Sequence, residues 1–89
     1  MAINILVTED ESIVRKDIEQ TLKGLGYHVV STVDNGEDAI EAASKYRPDV
    51  ILMDIMLKGD LNGIAAAEEI KRTVDVPILF LTAYADRGT

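Results

Sequence analysis

Three apolar runs of the chain each end in an oxygen-bearing side chain: Ile3 to Val7 leads into Glu9 and Asp10, Val50 to Met53 into Asp54, and Ile78 to Leu81 into Thr82. Carboxylates grouped in this way have two kinds of chemistry open to them. They hold a hard cation, or one of them acts as a nucleophile. Two carboxylates about 4 Å apart repel by roughly 4 kcal/mol at an effective dielectric near 20, so three of them need a proton or a cation. Oxygen donors without histidine or cysteine select hard ions, and a site with few protein ligands and room for water and phosphate oxygens favours Mg²⁺ over Ca²⁺. Asp54 is the best-placed nucleophile for an aspartyl phosphate, with a metal neutralising the incoming phosphoryl oxygens.

These residues do chemistry together only if the fold brings them together. Short β-rich runs separated by helical stretches read as parallel strands, and an open α/β sheet binds ligands at the carboxyl ends of its strands. Glu9, Asp10, Asp54 and Thr82 are therefore expected at one edge. Taken singly they have plainer roles: Glu9-Asp10-Glu11-Ser12 suits the positive amino end of a helix, and Thr82 suits the end of a strand. Three strands ending in the same pattern within one short chain favour the functional reading.

Between the runs the period changes. From Ser12, the residues Ile13, Val14, Ile18, Leu22 and Leu25 mark one helical stripe, and Gly24 or Gly26 stops the helix. His28 to Val33 is β-branched with polar Ser31 and Thr32 mixed in, as in an edge strand, and His28 reads as a surface residue. Asn35-Gly36 opens a second helix with Ala39, Ile40 and Ala43 inward, and Pro48 prevents its continuation. Val50 to Met53 reads as a fully buried central strand. The turn-rich Lys58 to Gly63 feeds a third helix through Ile64, Ala67 and Ile70, and Val76-Pro77 starts the fourth strand. Tyr27, Tyr46 and Phe80 read as packing groups. Ala83 to Thr89 reads as the loop before a fourth helix. The order is β α β α β α β, with right-handed crossovers between parallel strands.

Composition narrows the function classes. The 89 residues suit one small domain, and sixteen Asp and Glu against nine Lys and Arg leave a net charge of −7. That is the wrong sign for direct binding to nucleic acid or to anionic lipid. There is no cysteine, so disulfides and thiolate metal sites are excluded. No apolar run approaches the ~20 residues of a membrane span, and the expected location is the cytoplasm.

With Leu6-Val7-Thr8-Glu9-Asp10-Glu11, Arg47-Pro48-Asp49-Val50-Ile51-Leu52-Met53-Asp54, the turn ending in Asn62-Gly63, and Pro77-Ile78-Leu79-Phe80-Leu81-Thr82-Ala83, the chain resembles the receiver domain of two-component response regulators. The resemblance implies a flavodoxin-like, doubly wound parallel sheet of strand order 2-1-3-4. The whole chain, 1–89, would be one receiver domain, incomplete at its carboxy terminus because the family's fifth strand with its lysine and aromatic switch residue is missing. It implies a phosphorelay role rather than an enzyme's, beyond catalysis of its own phosphorylation and dephosphorylation. Asp54 would take a phosphoryl group from a sensor histidine kinase or phosphotransfer protein, with Mg²⁺ held by Glu9, Asp10, Asp54 and the Met56 carbonyl. Thr82 would contact the phosphoryl group and switch a face read by an output domain or protein.

Departures from the family pattern carry their own expectations. Met56-Leu57-Lys58-Gly59-Asp60 replaces the common proline-containing turn. Met56 and Tyr84 flank the path of attacking water in the family, and their bulk is expected to slow hydrolysis. Self-association through the fourth strand or its uncovered face is also expected. A receiver-like interaction module that takes no phosphate is the main alternative. An aspartate-nucleophile phosphatase would need an acid two residues after its nucleophile, where Ser12 and Met56 stand. A flavin or nucleotide domain would need a Gly- or Ser/Thr-rich loop where Thr8-Glu9-Asp10-Glu11 stands.

Overall fold

Seven elements alternate along the chain: β1 (Asn4–Thr8), α1 (Ser12–Gly24), β2 (His28–Val33), α2 (Gly36–Tyr46), β3 (Val50–Asp54), α3 (Gly63–Thr73) and β4 (Ile78–Leu81). The computed structural model describes residues 2–81. All strand pairs are parallel and the order is β2-β1-β3-β4, the flavodoxin-like arrangement. The chain steps from β1 to β2 on one side and returns to β3 on the other. A crevice therefore opens between the carboxyl ends of β1 and β3, where the order reverses.

Local chemistry accounts for most boundaries. The same dipeptide opens two helices: Asn35 Oδ1 accepts from the Asp38 amide at 2.8 Å, and Asn62 Oδ1 from the Ala65 amide at 2.9 Å. Each is an N-cap satisfying one of the amides left unpaired in a first helical turn. Of the two glycines at the end of α1, Gly24 is its last residue and Gly26, beyond it, takes the left-handed conformation, at φ 95°. Arg47 adopts φ 44° at the end of α2, and Pro48 follows. Pro77 precedes β4 and uses only its carbonyl, accepting from the Ile51 amide at 3.0 Å.

The two sheet faces are covered unequally. Leu6, Ile51 and Met53 pack against Ala39, Ala42 and Ala43 of α2 and Ala66 and Ile70 of α3. On the other face Ile5, Val7 and Val29 meet the partly buried Ile18 and Leu22 of α1, a helix with no fully buried residue. The stripe expected for α1 is narrower than its sequence suggests. Ile13 is 84% exposed, since it lies 100° around the helix from Val14, and Leu25 is 69% exposed because it follows the last helical residue as the C-cap.

Three further expectations need correction. Ile64 is 52% exposed, for it lies 100° around α3 from Gly63, which shares the buried side with Ala66, Ala67 and Ile70. Tyr27, Tyr46 and Phe80 are exposed rather than packed. Tyr46 instead lies under the Lys45 ammonium, 5.2 Å from the ring centre. Strand β1 starts at Asn4, and Ile3 is exposed ahead of it. His28 is a surface residue as expected, within 2.9 Å of Asn4 Oδ1. β2 and β4 are the outer strands among the described residues, and Leu79 and Phe80 of β4 are exposed.

Candidate functional site

Pairing of β1 with β3 in the register Thr8↔Met53 sets Glu9 and Asp54 side by side as the strands end. Asp10 follows directly. One carboxylate oxygen from each of Glu9, Asp10 and Asp54 lies within 4.8 Å of the others. Glu9 and Asp54 are buried, at 4% and 1% exposure, which is unusual for acids without a paired cation.

The hydrogen bonds leave a definite remainder. Asp54 Oδ1 accepts from the Met56 amide at 3.0 Å, Asp10 Oδ2 from the Lys58 amide at 3.1 Å, and Glu9 Oε2 from the Glu11 amide at 3.1 Å. Among the described residues, Asp54 Oδ2, Asp10 Oδ1 and the Thr8 hydroxyl are buried without a hydrogen-bond partner. Two of these orphaned atoms are carboxylate oxygens, and leaving such a group unsatisfied is costly.

At this separation or less and an effective dielectric near 20, each pair of charges repels by about 3.5 kcal/mol or more. The cluster relieves part of that by holding a proton. Burial raises the Glu9 carboxyl to about 7, with Asp10 and Asp54 adding to the rise and the Glu11 amide opposing it. A divalent cation would relieve the rest. The donor set is all oxygen, so its chemistry fits a hard ion such as Mg²⁺.

Supports for this edge include residues that sequence reasoning left aside. Arg15 of α1 turns back and donates from a guanidinium nitrogen to the Glu9 carbonyl at 2.9 Å. Gly63 was visible only as the end of a turn. A Cβ there would come within 2.0 Å of the Asp54 carbonyl oxygen, so the main chain of α3 braces the residue carrying the central carboxylate. Gly36 is crowded in the same way by Leu61, at 2.9 Å from its carbonyl oxygen. The Asn-Gly pairs signalled these turns, but nothing local signals which distant backbone lies against them.

Of the predicted site residues, Glu9, Asp10 and Asp54 come together as expected. At Met56 the engaged group is the amide, to Asp54, and the side chain is exposed. Thr82 and Tyr84 lie outside the described residues. Leu81, immediately before Thr82, pairs with Asp54.

Residues 5–89 match the response regulator receiver domain family. The chain is 38% identical over 88 residues to the phyllosphere-induced regulator PhyR of Methylorubrum extorquens, covering 98% of this chain and 33% of that protein. Among solved structures, the signal receiver domain of a modulated diguanylate cyclase from Desulfovibrio desulfuricans superposes with a TM-score of 0.85 at 34% identity, covering 98% of this chain and 76% of that one. The anti-anti-sigma factor PhyR from Bartonella quintana, solved in complex with the anti-sigma factor NepR, gives 0.81 at 31% identity over 90% of this chain and 33% of its own. The chain thus spans about a third of the length of the PhyR proteins it matches.

Proposed function

Because this chain belongs to the family of response regulator receiver domains, we propose that Asp54 accepts a phosphoryl group from a sensor histidine kinase or phosphotransfer protein, in a Mg²⁺-dependent reaction. The observation that carries the reading is Asp54 itself. One of its oxygens is held by the Met56 amide at 3.0 Å, while Oδ2 is buried without a hydrogen-bond partner among the described residues, beside two further acids. A carboxylate oriented through one oxygen and free at the other is prepared for nucleophilic attack.

Glu9, Asp10 and Asp54, with the Met56 carbonyl, would hold Mg²⁺. When bound, the ion supplies positive charge against the phosphoryl oxygens. The residues of the chain do the positioning. Gly63 braces Asp54 from behind, and Arg15 ties down the loop carrying Glu9 and Asp10. The acyl phosphate adds charge at one sheet edge. Thr82 would contact the phosphoryl oxygens and shift the face beyond β4 toward an output domain or protein. Such a role places the domain in the cytoplasm. Among the described residues no helix is long and apolar enough to cross a membrane.

A second reading, an interaction module that takes no phosphate, draws on the exposed apolar Met56, Ile64 and Phe80 and on the PhyR relative solved with a protein partner. Intact mass after incubation with Mg²⁺ and a small phosphoryl donor separates the two. One added phosphoryl group, lost in Asp54→Asn and without Mg²⁺, is the expected result. No addition on a folded sample would leave the interaction module as the better reading.

A further inference from the structure

Three carboxylates and an incoming phosphoryl group crowd negative charge at one edge, so the source of positive charge from the chain matters. The guanidinium of Arg15 is engaged with the Glu9 carbonyl, and the ion pairs among the described residues, Lys23 with Glu19 and Arg72 with Glu69, lie on α1 and α3 away from the cluster. Lys58 is placed differently. Its amide nitrogen is 3.1 Å from Asp10 Oδ2, and Asp10 and Asp54 offer oxygens within 4.8 Å of each other. Gly59, at φ 98°, turns the chain immediately after it. The Lys58 side chain is exposed.

We propose that the Lys58 ammonium contacts the phosphoryl oxygens during transfer to Asp54. The inference rests on Asp54 being the phosphoacceptor. Its basis is reach and anchoring. The hydrogen bond to Asp10 holds the Lys58 main chain against the site, and an extended lysine carries its nitrogen about 6 Å from Cα, far enough to span the Asp10–Asp54 gap. With acetyl phosphate as donor, an Asp54 carboxylate oxygen attacks phosphorus. The new P–O bond forms as the bond from phosphorus to the acetate oxygen breaks, and acetate leaves with that electron pair. No proton or co-reactant is consumed. Lys58 donates hydrogen bonds to the phosphoryl oxygens and supplies positive charge where negative charge gathers.

The test is the initial rate of phosphoryl uptake from labelled acetyl phosphate at saturating Mg²⁺, for the wild-type chain, Lys58→Ala, Lys58→Arg and Asp54→Asn. Lys58→Ala should label about tenfold more slowly, and Lys58→Arg should stay within about threefold of wild type. Mg²⁺ affinity, read by calorimetry, should not weaken in Lys58→Ala, because the amide bound to Asp10 is retained and loss of a nearby positive charge favours the cation. A weakened affinity would mean that the substitution disturbs the loop rather than the phosphoryl contact, and would overturn the proposal. So would wild-type labelling in Lys58→Ala, or an equal loss in the alanine and arginine variants. Those results leave the phosphoacceptor role standing if Asp54→Asn takes no label. A wild-type chain that takes no label overturns both readings.

Discussion

The two faces of the sheet are built on different terms. Against one, α2 and α3 press Ala39, Ala42, Ala43 and Ala66, small residues that let helix backbones approach the sheet closely, with Ile70 filling the space between. Against the other, α1 offers only partly buried Ile18 and Leu22, and its Ile13 points to solvent. The same contrast reappears at the carboxyl edge. Asp54 is braced by the backbone of α3 through Gly63, whereas the loop carrying Glu9 and Asp10 is tied by hydrogen bonds from Arg15 and Lys58. A rigid wall therefore carries the central carboxylate, and a hydrogen-bonded loop carries the other two.

Substitution at Gly63 should break this contrast most severely. Gly63→Ala puts a methyl group 2.0 Å from the Asp54 carbonyl oxygen, and backbone must move. A loss of more than about 3 kcal/mol in urea denaturation is expected, together with weakened Mg²⁺ binding. Stability close to wild type would mean that the wall is not rigid. Next, truncation of the fully buried Ile70 to alanine should cost about 3 kcal/mol, and the partly buried Ile18→Ala only about 1. Equal losses in thermal or urea melts would erase the difference between the faces.

The loop side can be probed by pH. Glu9 holds its proton more tightly in the folded state, near 7 against an ordinary 4.5, chiefly because it is buried. Its contribution to stability is therefore fully present below pH 4.5 and is lost as pH rises through about 7, on the order of 3 kcal/mol at most in metal-free protein. Glu9→Gln should remove that pH dependence, and Mg²⁺ should restore wild-type stability best at the alkaline end. A flat difference between wild type and variant from pH 4.5 to pH 8 would count against the buried, proton-holding carboxyl. The smallest effect has the opposite sign. A Cβ at Gly24, the last residue of α1, meets nothing within 4 Å, so Gly24→Ala should stabilise by about 0.5 kcal/mol in the same melts.

Periodicity and punctuation were enough to determine the order of elements, the helix opened by Asn35-Gly36 and which acids end strands, because these depend on residues within a few positions of one another. Asp54 was identifiable as the central carboxylate from the apolar run before it, and the parallel strand order came through the family resemblance. Exposure was another matter. Ile13 and Ile64 are as apolar as Ile18 and Ile70, and spacing along a helix says which residues share a side without saying how much of that side another element covers. The state of the site likewise depended on the tertiary arrangement. Which carboxylate oxygens keep a partner, why Glu9 holds a proton, and what Gly63 presses against all follow from β1, β3 and the loops after them meeting at one edge. Asp10 and the Lys58 amide it accepts from are 48 residues apart along the chain, and hydrogen bonding and desolvation act on distance in space.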